Sequence, residues 1–378
     1  MDVIIPSHNL KTFSSSISAL GKIGKFLFLQ FNPLNGLTLR TINDGKSAYA
    51  EFHFEVGFFE RCTSPPGLFM GATRQSGIDR ASSSVKDNED DHVASEEEKE
   101  NTMEEKYTCS VPVRDVMSIL RPRRVTINSL RLRNVGGVSH HEIGGIDRPE
   151  EESMLMMLSF EFQVSSNNTL DNEISSSGSM HIVHRIGVND SEGVATMTPR
   201  EDCNEIVSHP RVLLKMLEPL KRTTEVALTV NDNNKTVTAT SFHHTDADLA
   251  VTQNELLSAT AAAVLKSETS IGCDKFDEYH WLDDRKIDDD GNNVLPDNVN
   301  EEVTLVFGIR EAKAILQFCS QSSLEEEINV TLFFHWGGRP IIFDTEGTSF
   351  SAELVLATLD HSYLKDLSKA RSPQQEQT

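Results

Sequence analysis

The chain has 378 residues, 38% of them hydrophobic, and a formal charge of −23 at pH 7. That length and apolar content fill two cores of ordinary size, and the lack of any apolar run near about eighteen residues argues against a membrane helix. The cysteines, Cys62, Cys109, Cys203, Cys273 and Cys319, are scattered with no C-x-x-C pair, which argues against a disulfide framework or zinc cage and for a soluble protein of a reducing compartment.

Four stretches follow one grammar, an amphipathic helix running into a strand. In the first, residues 9–31, Leu10, Phe13, Ile17 and Leu20 share a helical stripe opposite Lys11, Ser15, Ser18 and Lys22. The helix is expected to stop at Gly21 and Gly24. Asn35-Gly36 then predicts a hairpin, and Ala50, Phe52, Phe54 and Val56 alternate with Glu51, His53 and Glu55 as a strand. The second stretch, residues 113–130, is cut short by Pro122 and carries Arg114, Arg121, Arg123 and Arg124.

The third, residues 209–230, places Pro210 at a first helical position. Val212, Leu213, Met216, Leu217 and Leu220 form its apolar face, with Arg211, Lys215 and Arg222 on the polar side. Val226, Leu228 and Val230 follow as a strand into the turn at residues 231–234. The fourth, residues 310–334, turns Ile315, Leu316 and Cys319 inward and Arg310, Lys313 and Gln317 outward. Strands at 340–343 and 350–359 complete it. A helix packed on an antiparallel meander, four times over, predicts two similar α+β domains with four helices on one face of a continuous curved sheet.

Much of the negative charge sits in residues 67–106, 135–152 and 274–302, which lack a sustained apolar period and read as exposed acidic inserts. Residues 188–208 read as an extended stretch with few helix-formers.

The residues SALGKIGKFLFLQF, NGLTLRTINDGKSAYAEFHF and the Phe58-Phe59 pair near the start, with GRPIIFDTEG and SAELVLATL near the end, resemble the Rad-nine subunit of the DNA-damage checkpoint clamp. The resemblance implies the sliding-clamp fold of proliferating cell nuclear antigen, two domains each a duplicated βαβββ unit, with helices lining the hole and antiparallel sheets outside. It further implies a nuclear, non-enzymatic subunit without cofactor. Such a subunit joins Rad-one and Hus-one partners in a heterotrimeric ring, is placed on double-stranded DNA by a clamp loader, and recruits repair and checkpoint clients.

Under that resemblance Lys11, Lys22, Lys25, Arg114, Arg121, Arg211, Lys215, Lys221, Arg222, Arg310 and Lys313 face phosphates. Such contacts carry no base information. The resemblance also implies domains at 1–186 and 209–360 joined by a connector at 187–208, with a short flexible tail at 361–378, and a client-peptide groove beside the connector with Val194, Met197, Ile206 and Val207 as contacts. The family's long phosphorylated tail finds only residues 361–378 here, with one Ser372-Pro373 pair.

Enzyme readings start from weaker signals. Residues 21–25 lack the spacing of a phosphate-binding loop. His140, His141 and Glu142, and His243 and His244 beside Asp246 and Asp248, are adjacent pairs that alternate faces in a strand. The acidic pairs Asp90-Asp91 and Asp283-Asp284 and the run Asp288 to Asp290 give the alternative, a metal-dependent 3′–5′ exonuclease on a clamp-like frame.

Overall fold

A computed structural model describes residues 1–63, 107–121, 126–135, 156–165, 179–191, 200, 203–220, 223–242, 267–282, 286–287, 293–294, 302–322 and 327–359. Its elements fall into four βαβββ units. The first is β1 (Asp2–Pro6), α1 (Leu10–Ile23), β2 (Phe26–Asn32), β3 (Gly36–Ile42) and β4 (Ala48–Phe54), followed by a short β5 (Arg61–Thr63). The second is β6 (Tyr107–Pro112), α2 (Val113–Ile119), β7 (Thr126–Val135), β8 (Met157–Ser165) and β9 (Ser179–Gly187), followed by β10 (Asn189–Asp190).

The third unit is β11 (Asn204–Ser208), α3 (Pro210–Leu217), β12 (Glu225–Asn231), β13 (Thr236–Phe242) and β14 (Glu268–Gly272). Three short strands come next, β15 (Glu278–His280), β16 (Lys286–Ile287) and β17 (Asn293–Val294). The fourth unit is β18 (Glu302–Gly308), α4 (Ile309–Ser322), β19 (Val330–Phe334), β20 (Ile341–Glu346) and β21 (Phe350–Leu356). No described helix is long and apolar enough to cross a membrane.

Units exchange their first strands. β1 pairs with β7 and β6 with β2; β11 pairs with β19 and β18 with β12. The described strands therefore form three main sheets rather than one. A ten-stranded sheet runs β10-β6-β2-β3-β4-β21-β20-β19-β11-β15, a five-stranded one β5-β1-β7-β8-β9 and a four-stranded one β14-β13-β12-β18. The expected continuity holds only in the central sheet, where β4 and β21 pair antiparallel from Phe54↔Phe350 to Ala48↔Leu356.

The helices lie side by side in the order α2, α1, α4, α3. Their apolar stripes supply the adhesion. Phe13 of α1 meets Phe54 at 5.5 Å between ring centroids, and Phe318 of α4 meets Phe52 at 4.7 Å and Phe350 at 5.6 Å. These rings bury α1 and α4 on one face of the central sheet, across the β4–β21 seam. The opposite face of that sheet carries Arg40, Glu51, Asp344 and Glu353, with Tyr49, Phe333, Ile342 and Val355 as a smaller apolar cluster.

Several local expectations are corrected. α1 runs through Gly21 and ends at Gly24, whose N–H reaches the Leu20 carbonyl at 3.0 Å. A Cβ on Gly21 would stand 2.6 Å from Met117 Sδ and 2.8 Å from Val113 Cγ1, so this glycine serves the close approach of α1 and α2 rather than termination. β4 ends at Phe54; Val56 opens a 3-10 turn and is 39% exposed, because the turn folds Phe58 back onto Phe54 with ring centroids 4.5 Å apart. The β2–β3 hairpin forms as expected, with Gly36 at φ +99 where a Cβ would meet the Phe54 carbonyl oxygen.

Two segments read as loop contain strands. Residues 204–208, placed in the connector, form β11 inside the central sheet. Part of the acidic stretch 274–302 becomes β15 on its edge. Phe276 is buried and Tyr279 and Trp281 are half-buried, so three aromatics anchor a segment whose charge hides its pattern. The inserts at 67–106 and 136–152 and the tail lie outside the described residues.

Candidate nucleic-acid interface and the opposite face

The four helices carry seven basic residues and two acidic ones, against a chain total of −23. This segregation follows from amphipathicity: each helix gives its apolar stripe to the sheets and leaves its cations in water. Lys11, Lys22, Arg114, Arg211, Lys215 and Arg310 are exposed on the helices, and Arg121 is exposed just beyond α2. In α3, Pro210 takes the first position as expected, and the His209 ring nitrogen accepts the Arg211 N–H at 3.2 Å.

Other expected cations differ in setting. Lys22 Nζ donates to Gln317 Oε1 at 2.7 Å, bridging α1 and α4. Lys313 is half-buried and donates to the Leu220 carbonyl at 3.4 Å. Lys25 lies beyond α1 and pairs with Asp44. Lys221, Arg222, Arg123 and Arg124 are outside the described residues. Among the acidic neighbours, Asp115 is exposed on α2 and Glu311 half-buried on α4.

The expected client groove divides similarly. Ile206 is 1% exposed and faces the core from β11, so it has no surface for a peptide. Strand alternation turns its neighbour Val207 outward, half-buried, with its backbone between β15 and β19. Val194 and Met197 lie outside the described residues, as do the proposed metal-binding histidines and the carboxylates of the exonuclease reading. Among the described residues no group of three His, Cys, Asp or Glu is placed to hold a metal ion.

The outer face of the central sheet carries an ion network that no local pattern announces. Glu51, Glu353 and Asp344 are direct cross-strand neighbours on β4, β21 and β20. Three adjacent carboxylates repel one another unless they are paired. Arg40 bonds Glu51 at 2.6 Å, and Arg200 bonds Asp344 at 2.8 Å, reaches Glu353, and lies 5.4 Å over the Phe333 ring. Burial pushes the Asp344 carboxyl above its ordinary range, while Arg200 pulls it down. The outward acids were readable from strand alternation, but nothing local ties them to Arg200.

Replacing Arg200 by alanine is expected to cost about 1 kcal/mol at neutral pH, since it leaves the half-buried Asp344 carboxylate beside that of Glu353 without its cation. Without the cation, burial pushes the Asp344 carboxyl further up in the folded state. The penalty is therefore full where Asp344 is ionised and shrinks as pH falls through its folded-state value. Urea melts at neutral and acid pH check this; a pH-independent loss would reject it.

A family model described as Rad9 matches residues 13–359. Among solved structures, the proliferating cell nuclear antigen (PCNA) of Thermococcus kodakaraensis superposes with a TM-score of 0.52 at 10% identity, covering 94% of this chain and 99% of that one. A chain of the PCNA2–PCNA3 complex of Sulfolobus tokodaii gives 0.53 at 10% identity over 95% and 99%. The Entamoeba histolytica PCNA gives 0.51 at 9% identity over 94% and 98%. At these identities the likeness is one of fold.

Proposed function

The chain belongs to the Rad9 family and is a checkpoint clamp subunit; we propose that it joins two different subunits, of the Rad-one and Hus-one types, in a closed ring around double-stranded DNA. The observation that carries this reading is the segregation of charge, with cations concentrated on one row of helices in a chain of net −23. A clamp must hold any sequence and still slide. Phosphate contacts from Lys11, Lys22, Arg114, Arg121, Arg211, Lys215 and Arg310 supply retention without base readout.

The remaining assignments rest on the family. The subunit acts in the nucleus as a non-catalytic platform, set on DNA by a loader, with clients docking beside the connector that Arg200 pins to the outer face. The two domains are then residues 1–186 and 204–360, a start moved from 209 because β11 pairs with β19 of the second.

Co-expression with the two partner subunits and sizing of the product tests the reading. A ternary complex that stays on circular DNA but leaves once the circle is cut is the expected result. A monodisperse homotrimer of this chain, or no association with either partner, overturns it.

A further inference from the structure

Within this clamp reading, the edge strand β9 carries a pattern that specifies the chemistry of its neighbour. β9 is the last strand of the five-stranded sheet, and among the described residues no strand lies beyond it. It has nine residues, with Met180 48% and Val183 46% exposed. Ile182, His184 and Ile186 point to the core side opposite Phe162, Phe160 and Leu158. All three are half-buried. His181, Val183 and Arg185 point to the outer side and are exposed.

The outer side has a surplus of positive charge. Among the described residues of these strands, Arg61, Arg131, Arg133 and Arg185 share that face with Asp2 and Glu161 as the only carboxylates. Both carboxylates are committed. Asp2 takes two bonds from Arg131 at 2.7 and 2.6 Å, and Glu161 takes Arg133 at 2.9 Å. Arg185 sits across from Ser159, which offers no charge. Its open neighbour is the position that an incoming strand would place directly opposite, where unlike charges attract and like charges repel across about 5 Å.

We infer that β9 selects a partner strand bearing a carboxylate opposite Arg185 and apolar side chains on the core side against Ile182 and Ile186, so that Arg185 is a specificity-determining residue of ring assembly. A different subunit is the occupant. Among the described edge strands, β18 already receives the Leu359 N–H at its Val306 carbonyl, β5, β10 and β15 have three residues or fewer, and β14 has five, of which Glu268 is charged. A second copy's β14 would leave almost half of β9 uncovered and would set Thr269 among its core-side residues.

Wild-type, Arg185→Glu, Arg185→Ala and Arg185→Lys proteins are each mixed with the Rad-one-type and Hus-one-type subunits, and pairwise association is followed by sedimentation at low and high salt. Reversal is expected to weaken one of the two pairings by about tenfold at low salt and less at high salt, with the other pairing unchanged. Alanine should give about a threefold loss and lysine almost none. Because Arg185 is exposed on an edge strand, all variants should melt as wild type; if the reversal does not, the alanine variant decides.

Equal pairing of wild type and Arg185→Ala at low salt overturns the inference while the ring stands. Failure of the wild-type chain to pair with either subunit overturns the clamp reading, and the inference with it. A homo-oligomer dispersed by Arg185→Glu shows a second copy on β9 and overturns the choice of partner.

Discussion

Reversing Arg211, Lys215 and Arg310 together to glutamate is expected to weaken retention of the assembled clamp on circular DNA by roughly a hundredfold at physiological salt. Each cation removed from a phosphate lowers the counterion-release slope by about 0.9, so the triple variant should drop by nearly three units. These three are chosen because they are exposed on α3 and α4. Lys313 is excluded, since its bond to the Leu220 carbonyl would confuse a charge effect with a packing one.

Deleting residues 75–105 should change retention far less. Charges farther from the helices than a Debye length, about 8 Å at physiological salt, are largely screened. An unchanged salt slope in the triple variant would remove the basis for placing DNA against the helices, whatever the ring does.

Phe54→Ala is expected to cost about 3–5 kcal/mol, the range for truncating a buried aromatic. Phe54 is 0% exposed and packs with four rings, those of Phe13, Phe52, Phe58 and Phe350, which come from α1, its own strand, the following turn and β21. No single neighbour can move to fill the void, because each also holds another element in place. Val56→Ala, two residues along, should cost far less, about 0.5 kcal/mol, because that residue is exposed at the turn. Denaturant titrations with unchanged slope measure both. A loss below about 1 kcal/mol at Phe54 would mean the aromatic cluster is not the core of the seam.

The contrast between these two residues shows what the sequence could reveal. Alternation placed Phe52 and Phe54 inward correctly, because sheet geometry repeats every two residues. It carried Val56 along with them, since no local signal announces that Phe58 must turn back. Gly21 misled for a related reason: a glycine near a helix end usually terminates, and only the approach of Met117 from α2 shows otherwise. The basic helix faces were legible because a 3.6-residue period exposes them. The Arg200 network and the charge imbalance around Arg185 were not, because both depend on strands brought together from distant parts of the chain.

The pairing of residues 48–54 with residues 350–356 also bears on how the protein is made. β4 leaves the ribosome long before its mate, so during synthesis one long apolar-backed strand edge waits without its permanent neighbour. Contacts this distant in sequence are the slowest to form. The joining of the halves is therefore expected as the last step of folding, and the first half as the species most in need of a chaperone until it is completed.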